Sequence, residues 1–536
     1  MRDQHSKLSY HKSIGNLILI LILCLQLANI VFWVDRKEAY FGDELYSYEF
    51  VCQTGYPSVN ADRPEGSYLN RWHDSSYFQD YFTVSEEEKF DLKGTYRSIK
   101  KDVHPPIYYL LLHIACSLNV DVFSKWNGIG LNIVFFVITV YVLYRMAQEL
   151  TENRIVPYVA IGLYGFSVAA VSTAVFIRMY MVLTCATVLF CYLHVRWYRN
   201  DFHEKDQKKR LMSYFLFLLC LVFGFLTQYY FVIFAFFVAA FWGLYLFFTK
   251  KYRIMIGYLG MMLLGLAVSY GLWPSMYKHI FQGYRGKEAF ANFQGDSSHV
   301  LDCVKVINGE LFAGQNILIL ALVAAVIALI AFDRKRMDRN GGIFRKPDYA
   351  IAFMAVACIG DLLIVSKVAP YQKDRYYFNI VPLILLIIVL LIGKISKNQK
   401  SYVRMAAMVL LTGLVFGSYA TNTVQYLYPE YKESVRMSEE MAEIPVVLLT
   451  NKNARYTSNC ACYYFLNGQI VYPIDQEGIG TIQAAFDEIG YHGKAVVYID
   501  NTLDADAMLE EIRNGSSWSS ATFLYDVERC KAFLLE

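Results

Sequence analysis

Eleven apolar runs, each long enough to cross about 30 Å of hydrocarbon as a helix, leave few folds open to this chain. They lie near residues 13–34, 128–146, 155–173, 179–198, 211–227, 230–249, 254–273, 313–332, 348–367, 376–393 and 402–421. A backbone in lipid must satisfy its own polar groups, so runs of this length are helices. The expected class is therefore a polytopic α-helical membrane protein with about eleven spans. The 56% hydrophobic residues and mean hydropathy of +0.30 over 536 residues fit that class and exceed what a soluble chain of this length needs. The first run follows Lys7 and Lys12 and has no small-residue cleavage site after it, so it reads as an uncleaved anchor.

A twelfth apolar stretch, Pro105 to Leu118, is too short to span comfortably, and charge decides how to count it. If it does not cross, the connections 2–12, 145–154, 196–210, 250–253, 333–346 and 394–404 share one side and hold 24 Lys and Arg. The positive-inside rule assigns that side to the cytoplasm. The stretch 105–118 then reads as a helix in the outer interface, opened by two prolines where missing amide donors cost nothing. The expected localisation is the cell membrane, multi-pass, with the N-terminus cytoplasmic. Residues 1–421 form the transmembrane domain, with outer loops at 35–126 and 273–312. Gly283, Gly286 and Gly295 suggest that the second loop is mobile enough to close over something.

From residue 422 the composition turns polar. Strand-like runs at Val446 to Leu449, Ile470 to Pro473, Ala495 to Ile499 and Thr522 to Tyr525 alternate with helix-like stretches near 479–489 and 503–513. A small extracytoplasmic α/β domain over 422–536 is expected. The net charge of +3 is scattered through short loops, which excludes nucleic acid as a partner. The eleven cysteines show no zinc or redox spacing, although Cys460, Cys462 and Cys530 leave room for one disulfide of open connectivity.

Residues with chemical potential gather on the outer side. The stretch Tyr40 to Ser47, YFGDELYS, puts Asp43 and Glu44 just beyond the first span, where a carboxylate can be tuned to accept a proton. Asp102 to Pro106, DVHPP, brings His104 to the same surface. Arg178, in FIRMYMVL beside Tyr180, stands at the mouth of the fourth span and offers a fork matched to phosphate oxygens. Gln228 and Tyr229 mark the turn between the fifth and sixth spans, and Lys373, Arg375, Tyr376 and Tyr377 open the tenth. Asp361, inside the ninth span, needs a partner that the sequence does not name.

An acidic pair after the first span, DVHPP closing the first outer loop, R-M-Y at the fourth span and R-Y-Y opening a late one together resemble the protein O-mannosyltransferase family and its bacterial relatives in the GT-C superfamily of membrane glycosyltransferases. The resemblance runs from about residue 13 to 400. It implies a polyprenyl-phosphate-linked sugar as donor, a membrane-surface active site, inversion at the anomeric carbon and a protein, lipid or cell-envelope glycan as acceptor. It also implies that Asp43 is the general base, that Glu44 and His104 shape the site, and that Arg178 and Arg375 hold the lipid phosphate, with Asp102, Tyr180, Gln228, Tyr229, Lys373 and Tyr376 lining it. No acidic residue stands beside Arg178 in SVAAVSTAVFIRMY, which favours a reaction needing no cofactor over one with a carboxylate-bridged divalent metal. The alternatives are a polyprenyl-linked saccharide transporter or flippase, in which the carboxylates couple to protons, and a binding or scaffold protein acting through 422–536.

Overall fold

The computed structural model describes residues 2–52, 67–202, 206–295, 298–315, 346–371, 373–395, 401–452 and 457–536. The chain divides into two compact units. The first comprises Met1–Trp33, Val103–Tyr108 and Asn132–Gln425, and the second Val34–Asp102, Tyr109–Leu131 and Tyr426–Glu536.

The first unit is helical and carries the membrane-crossing segments. Among the described residues, six helices are long and apolar enough to span: Ser13–Val34, Lys125–Leu150, Tyr180–Arg199, Phe231–Phe248, Tyr252–Leu272 and Tyr349–Val368. The expected span 155–173 is occupied by two apolar helices, Val156–Gly165 and Val168–Val175, that meet at 55° and together are long enough for a seventh span. Three more expected spans appear as helices Gln207–Phe225, Val381–Ile395 and Ser401–Thr421. The expected span 313–332 falls outside the described residues beyond position 315. The helices differ in surroundings. Tyr180–Arg199 is buried along most of its length, whereas Tyr252–Leu272 exposes Ile256 and Leu263, the surface that a lipid-facing helix presents.

The break at 166–167 has a local cause. Ser167 adopts an extended conformation and its hydroxyl accepts the Ala170 amide, starting a new helix in a new direction. Gly165, just before it, lies against the side chain of Gln26, whose amide nitrogen donates to the Ile161 carbonyl at 2.8 Å; a Cβ at 165 would collide with Gln26.

Two expectations need correction here. The segment 273–312 is not an open loop: it folds as Ser275–Tyr277, a π-turn Lys278–Gln282, and helices Tyr284–Gln294 and Ser298–Phe312. Its glycines serve tight packing, since a Cβ on Gly286 would strike the Ile280 carbonyl. The tenth span starts at Val381 rather than 376, because Asp374–Tyr376 form a 3-10 turn in which the Asp374 carboxylate accepts the Arg375 amide at 2.8 Å. Pro382 then occupies the first turn of the helix, where it costs no hydrogen bond.

The second unit is built on a five-stranded sheet in the order β2-β1-β3-β5-β4. The strands β1 (Val446–Leu449), β2 (Val471–Ile474) and β3 (Ala495–Asp500) run parallel, and β5 (Cys530–Leu535) pairs antiparallel with both β3 and β4 (Ala521–Asp526). Helices Ile482–Glu488 and Ala505–Asn514 accompany them, as the sequence predicts. β1 and β3 are buried along their whole length, as central parallel strands must be.

The first long connection belongs to this unit. His73 exchanges two backbone hydrogen bonds with Val471 at the edge strand, and the Trp72 indole donates to the Ala485 carbonyl at 3.0 Å while packing on Tyr472 and Phe486. An exposed strand edge is thereby covered. The short helix Ile107–Ser117 follows Pro105 and Pro106, within the stretch 105–118 where a helix in the outer interface is expected. Cys460, Cys462 and Cys530 are buried free thiols.

Candidate functional site

In the second unit the site is the start of helix Gly42–Cys52. Asp43 and Glu44 occupy its first turn, where the exposed amides of a helix favour negative charge. Their environments diverge. Glu44 is wholly buried, and its carboxylate accepts two contacts from Lys37 Nζ at 2.9 and 3.0 Å and the Phe41 amide at 2.9 Å. The Phe41 carbonyl in turn accepts the Glu44 amide at 2.8 Å, a reciprocal cap of the helix start. Lys37 also donates to the Tyr426 carbonyl, and burial lowers its proton affinity against the opposing pull of Glu44. Asp43 is only half-buried. Of the two acids, Glu44 is held by structure and Asp43 faces the accessible side.

Rigid packing holds this turn. Tyr48, one turn on, donates to the Ser124 carbonyl and accepts the Gly128 amide. Phe41 stacks on Tyr428 with rings 10° apart, and Lys125 Nζ donates to the carbonyls of Val34 and Lys37. Asp102 accepts the Tyr109 hydroxyl at 3.0 Å. From the turn between β4 and β5, Glu528 accepts the Gly42 amide, and burial first, then Asp43 and Glu44, push its carboxyl up to about 7.

In the first unit the site is the break between Val168–Val175 and Tyr180–Arg199. Asn132 Nδ2 donates to the carbonyls of Ala174 and Phe176 at 3.2 and 2.7 Å, satisfying the end of the first helix. The Arg178 amide returns to the Phe176 carbonyl at 2.7 Å, so Arg178 sits on a tight, anchored turn. The guanidinium is buried, and its Nη2 lies 3.3 Å from His104 Nε2. Arginine keeps its protons, so this contact makes His104 Nε2 the acceptor and the imidazole neutral.

Arg375 approaches the same break. Its guanidinium lies 6.0 Å from the Phe176 ring and 5.4 Å from Tyr376, while Tyr180 stacks on Phe176 and meets Tyr376 edge to face. The structure thus brings His104, Arg178, Tyr180, Arg375 and Tyr376 together. Lys373 is exposed nearby in sequence. Gln228 is buried and accepts the Tyr229 amide, and the Tyr229 hydroxyl accepts the Trp273 indole proton at 3.0 Å and contacts His279 Nδ1 at 2.9 Å.

Several participants escape sequence reading. Glu310 and Asp374 form a hydrogen-bonded acid pair next to Arg375, and burial, then the charge of Asp374, hold the Glu310 carboxyl well above the usual range. Asp374 stands in the same K-D-R-Y-Y run as Arg375, a signal that could have been used; Glu310, 64 positions away, carried none. Asp361 finds its partner in Asn379, whose Nδ2 lies 3.4 Å from Oδ2. Among the described residues, no group of three or more His, Cys, Asp or Glu is arranged to hold a metal ion.

No protein-family model matches the chain, and no curated protein is significantly similar to it in sequence. Solved structures are similar in fold. ArnT from Cupriavidus metallidurans bound to undecaprenyl phosphate superposes with a TM-score of 0.55 at 10% identity, over 96% of this chain and 97% of that one. The Archaeoglobus fulgidus oligosaccharyltransferase in its apo form gives 0.52 at 11% identity, over 97% of this chain and 74% of that one. The oligosaccharyltransferase AglB from the same organism, in complex with an inhibitory peptide and a dolichol-phosphate, gives 0.51 at 11% identity over 96% and 74%. The chain is a multi-pass membrane protein that shares the fold of these solved structures.

Proposed function

From that shared fold we propose that the chain is an inverting glycosyltransferase moving a sugar from a polyprenyl-phosphate donor to a hydroxyl of an extracytoplasmic acceptor. The observation that supports the reading is the contrast inside one helical turn: Glu44 is wholly buried against Lys37 and the Phe41 amide, and Asp43, beside it, is half-buried. Asp43 takes the proton of the attacking hydroxyl, and the oxygen then closes on the anomeric carbon from the face opposite the phosphate. As the sugar–phosphate bond breaks, charge gathers on the phosphate oxygens, which Arg178 and Arg375 stabilise. His104, neutral and accepting from Arg178, orients that guanidinium.

The structural relatives support a lipid-phosphate donor: one was solved with undecaprenyl phosphate, another with a dolichol-phosphate and a peptide. A mannosyl group and the protein O-mannosyltransferase branch are compatible with the fold. In this reading the N-terminus is cytoplasmic and 422–536 lies outside, which the distribution of Lys and Arg supports.

Purified protein in nanodiscs, given a panel of polyprenyl-phosphate sugars and an envelope acceptor fraction with chelator present, should release polyprenyl phosphate from one of them. Release that persists in Asp43→Asn would overturn the base assignment, and release abolished by chelator and restored by a divalent ion would add a metal to the reaction.

A further inference from the structure

We propose that Glu528, on the turn between β4 and β5, is a positioning residue for Asp43 that ties the C-terminal sheet to the reacting carboxylate. The inference rests on the reading of Asp43 as base. The geometry is specific. Glu528 Oε2 accepts the Gly42 amide, the residue directly before Asp43, at 2.5 Å. Gly42 is buried, and a Cβ there would sit 2.9 Å from Cys460 Sγ and 3.1 Å from Glu528 Oε2, so the helix start is pressed against this turn as closely as glycine permits. The Glu528 side chain is only 19% exposed, and Arg529 beside it stands off at 3.9 Å, so the Gly42 amide is its short contact among the described residues.

The groups acting on Glu528 make it responsive. Asp43 and Glu44 face it from helix Gly42–Cys52, with Glu44 already neutralised by Lys37. Cys460, Tyr431 and Tyr464 pack around it and are themselves held protonated by burial. Arg529 is the single favourable charge. With burial dominant, the Glu528 carboxyl is pushed up to about 7. Below that value it accepts the Gly42 amide as a neutral acid. Above it the bond becomes charge-assisted, and a second negative charge beside Asp43 raises the proton affinity of the base. A stronger base that remains ionised is a better one.

The test pairs a spectroscopic readout with a kinetic one on the full chain in nanodiscs. In pH-difference infrared spectra, the carboxylic C=O band that disappears with a midpoint near 7 and is missing in Glu528→Gln belongs to Glu528. That midpoint should move down in Asp43→Asn, which removes a like charge, and up in Arg529→Gln, which removes the cation. In turnover, kcat/KM of the wild type should step upward across the same pH, and Glu528→Gln should lose the step while Glu528→Asp keeps it. A midpoint indifferent to Asp43→Asn, or a step retained in Glu528→Gln, overturns the coupling even if Asp43 is the base. If Glu528→Gln does not fold, Arg529→Gln decides alone: its kinetic step must follow its infrared midpoint upward, and a step that stays put overturns the proposal. Activity surviving in Asp43→Asn would instead remove the base reading, and a shifted infrared midpoint would then leave only a structural coupling, which also overturns a positioning role in catalysis.

Discussion

The helix start at Gly42 and the helix break at Phe176 bury charge in opposite ways. At Gly42 the buried anion, Glu44, is closed off by a buried cation and a backbone amide. At Phe176 the buried cation, Arg178, takes a neutral imidazole as one of its acceptors. A neutral acceptor can be exchanged for a phosphate oxygen without stranding an anion in a medium of low dielectric, whereas breaking a buried ion pair strands its partner. The first region holds a shape by pairing charge, and the second, on the proposed reading of Arg178 as a phosphate ligand, changes partners. Asp43 belongs to neither pattern, since it stands on the rigid turn while remaining half-exposed, and that combination is what a base needs.

The comparison breaks most visibly within the first turn. Asp43→Asn should lower kcat by roughly 10²- to 10⁴-fold, the usual contribution of a general base, with an unchanged thermal midpoint. Glu44→Gln should do the reverse: it leaves Lys37 buried without its anion at a cost of about 3–5 kcal/mol, read as a large drop in thermal stability in detergent. Replacing both members together, Lys37→Met with Glu44→Leu, should recover much of that loss, because two apolar groups strand nothing. If the two single variants exchange their phenotypes, the division of labour is wrong.

The second region predicts a binding effect. Arg178→Ala should raise the donor KM by on the order of 10- to 100-fold, the worth of a charge-assisted hydrogen bond, with little change in stability. His104→Gln keeps an acceptor for the guanidinium and should fall well short of that effect. A stability loss in Arg178→Ala as large as that of Glu44→Gln would place both regions in the same structural class.

How much of this was readable beforehand follows from the range over which each signal acts. Spans are local, set by some twenty consecutive residues, and every expected span within the described residues has a helix or helix pair at its place. Asp43, Arg178 and Arg375 could be singled out because each stands in a short motif at the end of an expected span, and His104 because DVHPP opens the interfacial stretch 105–118. What escaped is long-range. The apolar alternation of 521–535 breaks at Asp526 to Arg529, a turn without Gly or Pro, so the second strand of that hairpin, and with it Glu528, gave no turn signal. The segment 273–312 looked loop-like because its glycines, which permit close helix packing, are the same residues that mark flexible connections. The membership of Trp72 and His73 in the C-terminal unit depends on contacts across some four hundred residues, which no window can show.

The smallest effect concerns a third way of burying charge, the shared proton of Glu310 and Asp374. The Glu310 carboxyl is raised well above its unfolded value, chiefly by burial and then by Asp374. A group with a raised folded value binds its proton more tightly in the native state, so its contribution to stability is complete below the unfolded value, near 4.5, and is lost as pH rises through the folded one. The wild type should therefore lose stability as pH rises from about 4.5 through the raised folded value. Glu310→Gln keeps a donor for Asp374 but cannot ionise, so its thermal midpoint should decline less as pH rises above about 4.5, while below that value the two proteins should melt almost together. Equal slopes would mean that the pair does not share a proton, and Asp374 would then join Glu44 as an anion neutralised in place. A flatter slope with an unaltered donor KM would show that a proton can do beside Arg375 what Lys37 does beside Asp43, which is to remove a negative charge from the neighbourhood of a residue whose task depends on its own.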